Sequence, residues 1–325
     1  MQAIVYTEYG APDVLRLEDV AKPTPKDDEV LVRVHAASAN PLDWHFMRGA
    51  PFLARLEGGL QKPKNPRLGA DIAGRVEAVG SGVTRFKPGD EVFGDLSGNG
   101  LGGFAEYATA LENKLALKPP NISFEQAAAV PVAAITALQG LRDMGKIRAG
   151  QTVLVNGASG GVGSFAVQIA KSFGTEVTGV CSTRNLELVR SMGADHVIDY
   201  TKEDFTKSTQ RYDLIFDTVG NLSVGGCRRA LNENGICSVA GFTTMGHLFG
   251  VMLLGGLVSA TGSRKVQQMG TAQPNSKDLS FLSDLLEKGK IIPVIDRSYP
   301  LSETAEAIRY LETGRARGKV IVTVA

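Results

Sequence analysis

The sequence predicts an α/β protein in which a doubly wound parallel sheet is inserted into a second, β-rich domain. Three observations predict it. The first third of the chain is a series of short apolar segments broken by Gly, Pro and Asp. The middle alternates apolar strands with helical stretches, and the end returns to a single strand. At 325 residues the chain is too long for one compact core and suits two. The expected limits are 1–123 with 266–325 for the β-rich domain and 124–265 for the parallel-sheet domain.

Residues 30–34 are a strand of β-branched character, and 71–79 alternate into the turn Gly80-Ser81-Gly82. A second turn at 86–90 precedes a strand at 91–93. Ser123 with Gln126 three residues on has the spacing of a capping box and opens the change of pattern. Strand 152–155, helix 163–172, strand 176–180 and helix 186–192 follow, then strands at 196–199, 214–217 and 236–240. Such alternation implies βαβ units. After about residue 265 the rhythm stops: a helix over 278–288, an extended 293–298, a helix over 304–313 closed by Gly314, and a strand at 320–324.

Composition excludes several functions. The apolar fraction is 43%, the charged fraction 21%, and 35 basic residues face 34 acidic ones. A chain so balanced lacks the basic excess that nucleic acid or an anionic membrane needs. Three cysteines, Cys181, Cys227 and Cys237, make no disulfide framework and suit a reducing compartment. The first residues show no signal or transit character, and the apolar run 249–260 is far shorter than the roughly 20 residues that span a bilayer. A cytoplasmic protein is expected.

The sharpest motif follows strand 152–155: Asn156-Gly157-Ala158-Ser159-Gly160-Gly161-Val162-Gly163, leading into a helix. Small residues let the strand turn sharply and bring backbone N–H groups and the positive end of the helix against a pyrophosphate. The strand–loop–helix context marks a Rossmann domain, with Ala158, Ser159, Gly160, Gly161, Val162 and Gly163 as cofactor-binding residues. An NAD enzyme places Asp or Glu about 20 residues on. Here that segment is Ser182-Thr183-Arg184-Asn185, with no acid. Two hydroxyls and the guanidinium of Arg184 suit a 2′-phosphate, so NADPH is expected, against the reading that Arg184 is a solvated residue at a helix start.

The chain resembles the medium-chain dehydrogenase/reductases, in their zinc-free quinone oxidoreductase branch. The resemblance rests on Gly69-Ala70-Asp71-Ile72-Ala73-Gly74, Phe86-Lys87-Pro88-Gly89-Asp90-Glu91-Val92, Ala127-Ala128-Ala129-Val130-Pro131, the glycine loop, Gly193-Ala194-Asp195 and Gly318-Lys319-Val320-Ile321-Val322. Asn40-Pro41-Leu42-Asp43-Trp44 brings it nearest to the chloroplast envelope quinone oxidoreductase-like group. The resemblance implies a GroES-like domain beside the Rossmann domain, and a small-molecule quinone or α,β-unsaturated carbonyl as substrate. Zinc relatives carry a Gly-His-Glu histidine and a catalytic cysteine. Here those positions read Gly69-Ala70-Asp71 and fall near Asn40, and no cysteine precedes residue 181, so no zinc is expected.

By resemblance Asn40 contacts substrate or nicotinamide, though Asn before Pro also shapes turns. Asp43 is a site residue or a helix cap, and His45 a proton donor or a surface residue. Thr136 is implied to contact the nicotinamide ribose or phosphate. Gly241 and Phe242 follow the fifth sheet strand, where backbone reaches the nicotinamide. Lys319 approaches the cofactor or forms a salt bridge. The apolar segment 245–258 lines the substrate, forms a homodimer surface or packs in the core. Two other functions fit the same loop: a dinucleotide-binding structural or regulatory protein with little turnover, and a zinc-free alcohol dehydrogenase.

Overall fold

The structure is a computed structural model that describes residues 1–98 and 100–324. It divides into two compact units, 1–135 with 273–289 and 293–325, and 136–272 with 290–292.

The first unit opens with a hairpin of β1 (Gln2–Val5) and β2 (Arg16–Asp19). β3 (Glu29–Ala39) runs through eleven residues, longer than the expected 30–34, because residues 36–39 are buried on both faces and paired with neighbouring strands on both sides. Two helices follow, α1 (Pro41–Arg48) and α2 (Leu53–Gly58). Then come β4 (Asp71–Val79), β5 (Glu91–Asp95), β6 (Tyr107–Leu111) and β7 (Leu115–Leu117). Ser123 caps α3 (Phe124–Ala128) and closes its box with Gln126, as the spacing predicted. β3 pairs antiparallel with both β4 and β6, and β4 with β5, over a core that includes Val30, Val32, Ile72, Val76 and Val92.

α4 (Pro131–Gln139) leads into the second unit. Its elements are β8 (Thr152–Asn156), α5 (Gly161–Ser172), β9 (Glu176–Cys181), α6 (Leu186–Ser191), β10 (His196–Asp199), β11 (Tyr212–Asp217), α7 (Val224–Ala230) and β12 (Leu231–Val239). α8 (Met245–Gly250), α9 (Gly256–Thr261) and β13 (Lys265–Gln268) complete it. The six strands form one sheet in the order β10-β9-β8-β11-β12-β13, every pair parallel. The order reverses between β8 and β11, the switch point at which open α/β sheets bind ligands.

The chain then returns to the first unit with α10 (Ser276–Glu287), β14 (Ile295–Pro300), α11 (Thr304–Glu312) and β15 (Lys319–Thr323). β15 pairs antiparallel with β3, so the tail joins the sheet begun by the N-terminal residues.

Two boundaries differ from expectation. The parallel-sheet unit extends past 265 to 272, because β13 is its sixth strand; Val266 is buried, but four residues of mixed polarity carry little periodicity. At the other end α3 and the first turn of α4 belong with the β-rich unit, where the Asp71 side chain accepts the Val132 amide at 2.8 Å. Core packing does not account for the apolar segment 245–258. Val251 is buried, but Phe249 is 50% and Leu253 69% exposed, as are Met252, Leu254 and Leu257 to similar degrees.

Candidate active site

β8 ends at Asn156, and the chain turns through Gly157, at φ 82°, to Gly160, the N-cap of α5. The amides of Gly157 and Ala158 donate to the Val180 carbonyl and pin the loop to β9. A Cβ on Gly163 would lie 2.1 Å from the Gly157 carbonyl oxygen, so glycine there is what allows helix and turn to meet. A Cβ on Gly160 would find nothing nearer than 3.4 Å, so glycine there keeps space open above the loop. The amides of Gly161, Val162 and Gly163 are those an α-helix leaves without an intrahelical acceptor. Together with the helix dipole they fit a diphosphate. At the switch point the Asn156 amide donates to Asp217 at 2.8 Å, and Asp217 also takes the Val219 and Gly220 amides at 3.0 Å. This ties the segment after β11 to the end of β8. Gly241 lies against it, since a Cβ there would sit 2.7 Å from the Thr218 carbonyl oxygen. Phe242 follows, half-buried, and Thr136, on α4, is half-buried too.

The end of β9 separates the residues expected to hold a 2′-phosphate. The Thr183 hydroxyl donates to Asp199, which helps hold that carboxyl at about 2, so its proton is already committed. Ser182 is different. Asn185, 5% exposed, donates from Nδ2 to the hydroxyl oxygens of Ser159 at 2.9 Å and Ser182 at 3.3 Å, bridging glycine loop and strand end. Its Oδ1 is buried without a hydrogen-bond partner. Arg184 is exposed beside them.

In the β-rich unit Asn40 and Lys319 come together around Asp71. Asp71 Oδ2 accepts from the Ser38 hydroxyl at 2.6 Å, Asn40 Nδ2 at 2.9 Å and Lys319 Nζ at 3.3 Å. Lys319 Nζ also donates to Asn40 Oδ1 at 2.6 Å, and Asn40 Nδ2 to the Ser38 carbonyl at 3.2 Å. Every side chain in this cluster is buried. The Asn40 amide is therefore spent on Ser38, Asp71 and Lys319, and Lys319 is a buried ion-pair partner.

Asp43 is the third residue of α1 and closes a capping box with Asn40. Its oxygens accept the Asn40 backbone N–H at 2.8 Å and the Gly69 backbone N–H at 2.9 Å. Burial pushes its carboxyl up to about 7, outweighing those two bonds, and Asp71 adds repulsion. Asp43 has no exposed surface, and it stands at the third helical position while Asn40 is the N-cap. His45 Nδ1 lies 2.7 Å from the Ala50 carbonyl oxygen. Only a protonated Nδ1 satisfies that acceptor, and burial holds the ring below its ordinary value. The neutral ring then has a lone pair at Nε2, which suits an acceptor better than a proton donor.

Two family descriptions match the chain: an alcohol dehydrogenase GroES-like domain over 26–120 and a zinc-binding dehydrogenase over 192–322. The chain is 39% identical to NADPH-dependent alkenal/one oxidoreductase of Arabidopsis thaliana, over 99% of its own length and 79% of the relative's. It is 37% identical to a chloroplast envelope quinone oxidoreductase homolog of the same plant, over 99% and 98%. The quinone oxidoreductase of Coxiella burnetii matches 100% of the chain and 99% of its own, with TM-score 0.87 at 32% identity. The chain belongs to the medium-chain dehydrogenase/reductase superfamily, in its quinone oxidoreductase branch.

One matching description speaks of zinc, and the residues do not fit it. Cys181, Cys227 and Cys237 are buried in the parallel-sheet unit, and Ala70 stands where a zinc relative has its histidine. Among the described residues no three His, Cys, Asp or Glu could hold an ion. The residues do fit a dinucleotide: Gly160 leaves open space, and Asn185 Oδ1 is an unsatisfied buried acceptor beside the loop. Sequence reasoning missed Asn185, Ser38 and the central place of Asp71. Asp71 had a signal, as an acid opening the apolar strand β4; Ser38 and Asn185 are ordinary polar residues whose roles depend on distant partners.

Proposed function

We propose that the protein is an NADPH-dependent reductase of quinones or α,β-unsaturated carbonyl compounds that works without a metal. The observation that carries the cofactor half is the glycine loop joined to a β9 end with hydroxyls and Arg184 but no acid. The amides of Gly161, Val162 and Gly163 would hold the diphosphate, and Ser159, Ser182 and Arg184 the 2′-phosphate. Thr136, Gly241 and Phe242 are assigned to the nicotinamide half. When bound, NADPH supplies a hydride from its reduced nicotinamide to an electron-poor acceptor. The substrate class is supported by the relatives, one named for alkenals and enones and others for quinones. An acceptor of that kind delocalises the incoming charge, so the protein's main task is to hold it in place.

Steady-state assays with enones of increasing chain length and with ortho- and para-quinones, in the presence of a chelator, should show loss of NADPH absorbance. Tight NADPH binding with no consumption across that panel would instead support a dinucleotide-binding structural or regulatory protein. Turnover confined to simple alcohols and NADP⁺ would support an alcohol dehydrogenase.

We assign the protein to the cytoplasm, a reading supported by three unpaired thiols; no helix among the described residues is long and apolar enough to cross a membrane. Relatives carry chloroplastic or mitochondrial names, so imaging of the tagged full chain decides the compartment. A homodimer covering the exposed side chains of 249–257 is proposed as the assembly, and sedimentation as a monomer would remove it.

A further inference from the structure

We infer that Asn185 is the positioning residue that makes the enzyme choose NADPH over NADH, by turning the hydroxyls of Ser159 and Ser182 into hydrogen-bond donors toward the adenosine ribose. This deepens the cofactor reading above and rests on it.

The argument begins with proton counting. A serine hydroxyl has one hydrogen to give and lone pairs to receive. The Asn185 amide gives its two Nδ2 hydrogens to Ser159 Oγ, at 2.9 Å, and to Ser182 Oγ, at 3.3 Å. Each hydroxyl is thereby used as an acceptor and keeps its own hydrogen for a ligand. One comes from the glycine loop and the other from the end of β9, so the amide joins the diphosphate side of the site to the ribose side.

The surroundings keep this arrangement from being replaced by another. Thr183, the other hydroxyl of the segment, gives its proton to Asp199 and so adds no donor. Asn185 is almost fully buried at 5% exposure, so water does not compete freely for its amide. The buried Oδ1 has no hydrogen-bond partner, so the side-chain amide is held by its two Nδ2 bonds to the serines. A 2′-phosphate is acceptor-rich and doubly charged, so two donors beside Arg184 suit it. A free ribose 2′-hydroxyl needs an acceptor for its own proton, which residues 182–184 do not supply through any acid.

The substitutions that separate this from a packing role are Asn185→Ala and Asn185→Asp in the full chain, with dissociation constants for NADPH and NADH measured by calorimetry. Alanine removes the amide and frees the hydroxyls to turn toward each other or toward water. We expect NADPH to bind about tenfold more weakly and NADH to change by less than about twofold. Aspartate accepts both serine protons and places a negative charge against the phosphate, so the preference should narrow further or invert. In turnover with an enone, KM for NADPH should rise in both variants while kcat holds.

A wild type that binds both cofactors equally would remove the NADPH reading itself. A wild type that prefers NADPH, with variants that keep the same ratio, would overturn the role of Asn185 alone. Equal loss of both cofactors in both variants would also overturn it, because that is the mark of a residue that only supports the fold.

Discussion

At the scale of single residues, the buried cluster around Asp71 shows how geometry reassigns chemistry. Lys319 and Asn40 are of types that serve substrates, yet each polar atom they carry is engaged inside the β-rich unit. Taking two charges out of water is costly, and removing one partner of such a pair costs more than the pair contributes. Lys319→Met should therefore destabilise the protein by about 3 kcal/mol, read as a lower urea midpoint. Adding Asp71→Asn to Lys319→Met should recover part of that loss, since the uncompensated carboxylate is gone. A double variant as unstable as the sum of the singles would show that the ion pair is not the source. The residue types were legible in the sequence; their engagement was not, because Lys319 lies 248 positions from Asp71 and 279 from Asn40.

At the scale of elements, the two glycines of the cofactor loop do different work, and substitution separates them. Gly163 stands where helix α5 meets the Gly157 turn, and an added methyl would overlap a carbonyl oxygen at 2.1 Å. Gly163→Ala should lower stability by about 2 kcal/mol and weaken NADPH binding together. Gly160→Ala meets no atom nearer than 3.4 Å, so it should leave the thermal midpoint nearly unchanged while still weakening NADPH binding. Equal thermal midpoints for the two variants would count against this division. The loop was legible because its spacing is imposed by the close meeting of helix α5 with the turn after β8, which is local in sequence. The sixth strand was not. β13 pairs with β12 in a parallel ladder, and its four residues show no alternation to read. The helix α1 was not legible: Asn40-Pro41 reads as a turn, and the closing of the box by Asp43 needed the fold to bury that carboxyl.

At the scale of the whole molecule, buried carboxyls link stability to pH. Asp43 is held at about 7 and Asp95 at about 6, both chiefly by burial, against an ordinary 3.8. The folded state therefore keeps these protons to higher pH than the unfolded chain, and stability from this source falls as pH rises from about 4 to about 7. His35 and His45, held low by burial, act in the opposite sense below about 6.5. A single substitution isolates one carboxyl. Asp95→Asn keeps an oxygen for the Ser97 amide, so its stability relative to wild type should rise by about 2 kcal/mol between pH 4.5 and pH 7.5. A difference in urea midpoint that stays flat across those pH values would rule out the shift at Asp95. What the sequence by itself determined is the α/β class, the insertion of one domain in another, the glycine loop between β8 and α5 and the family. These follow from periodicity and from short motifs, in which neighbours in the chain constrain each other. The tertiary structure alone decided which polar residues are spent on one another: Asn40 and Lys319 on Asp71, Thr183 on Asp199, and the Asn185 amide on two serines. Hydrogen bonds saturate, and whether a donor is still available depends on partners that only folding brings within 3 Å or so.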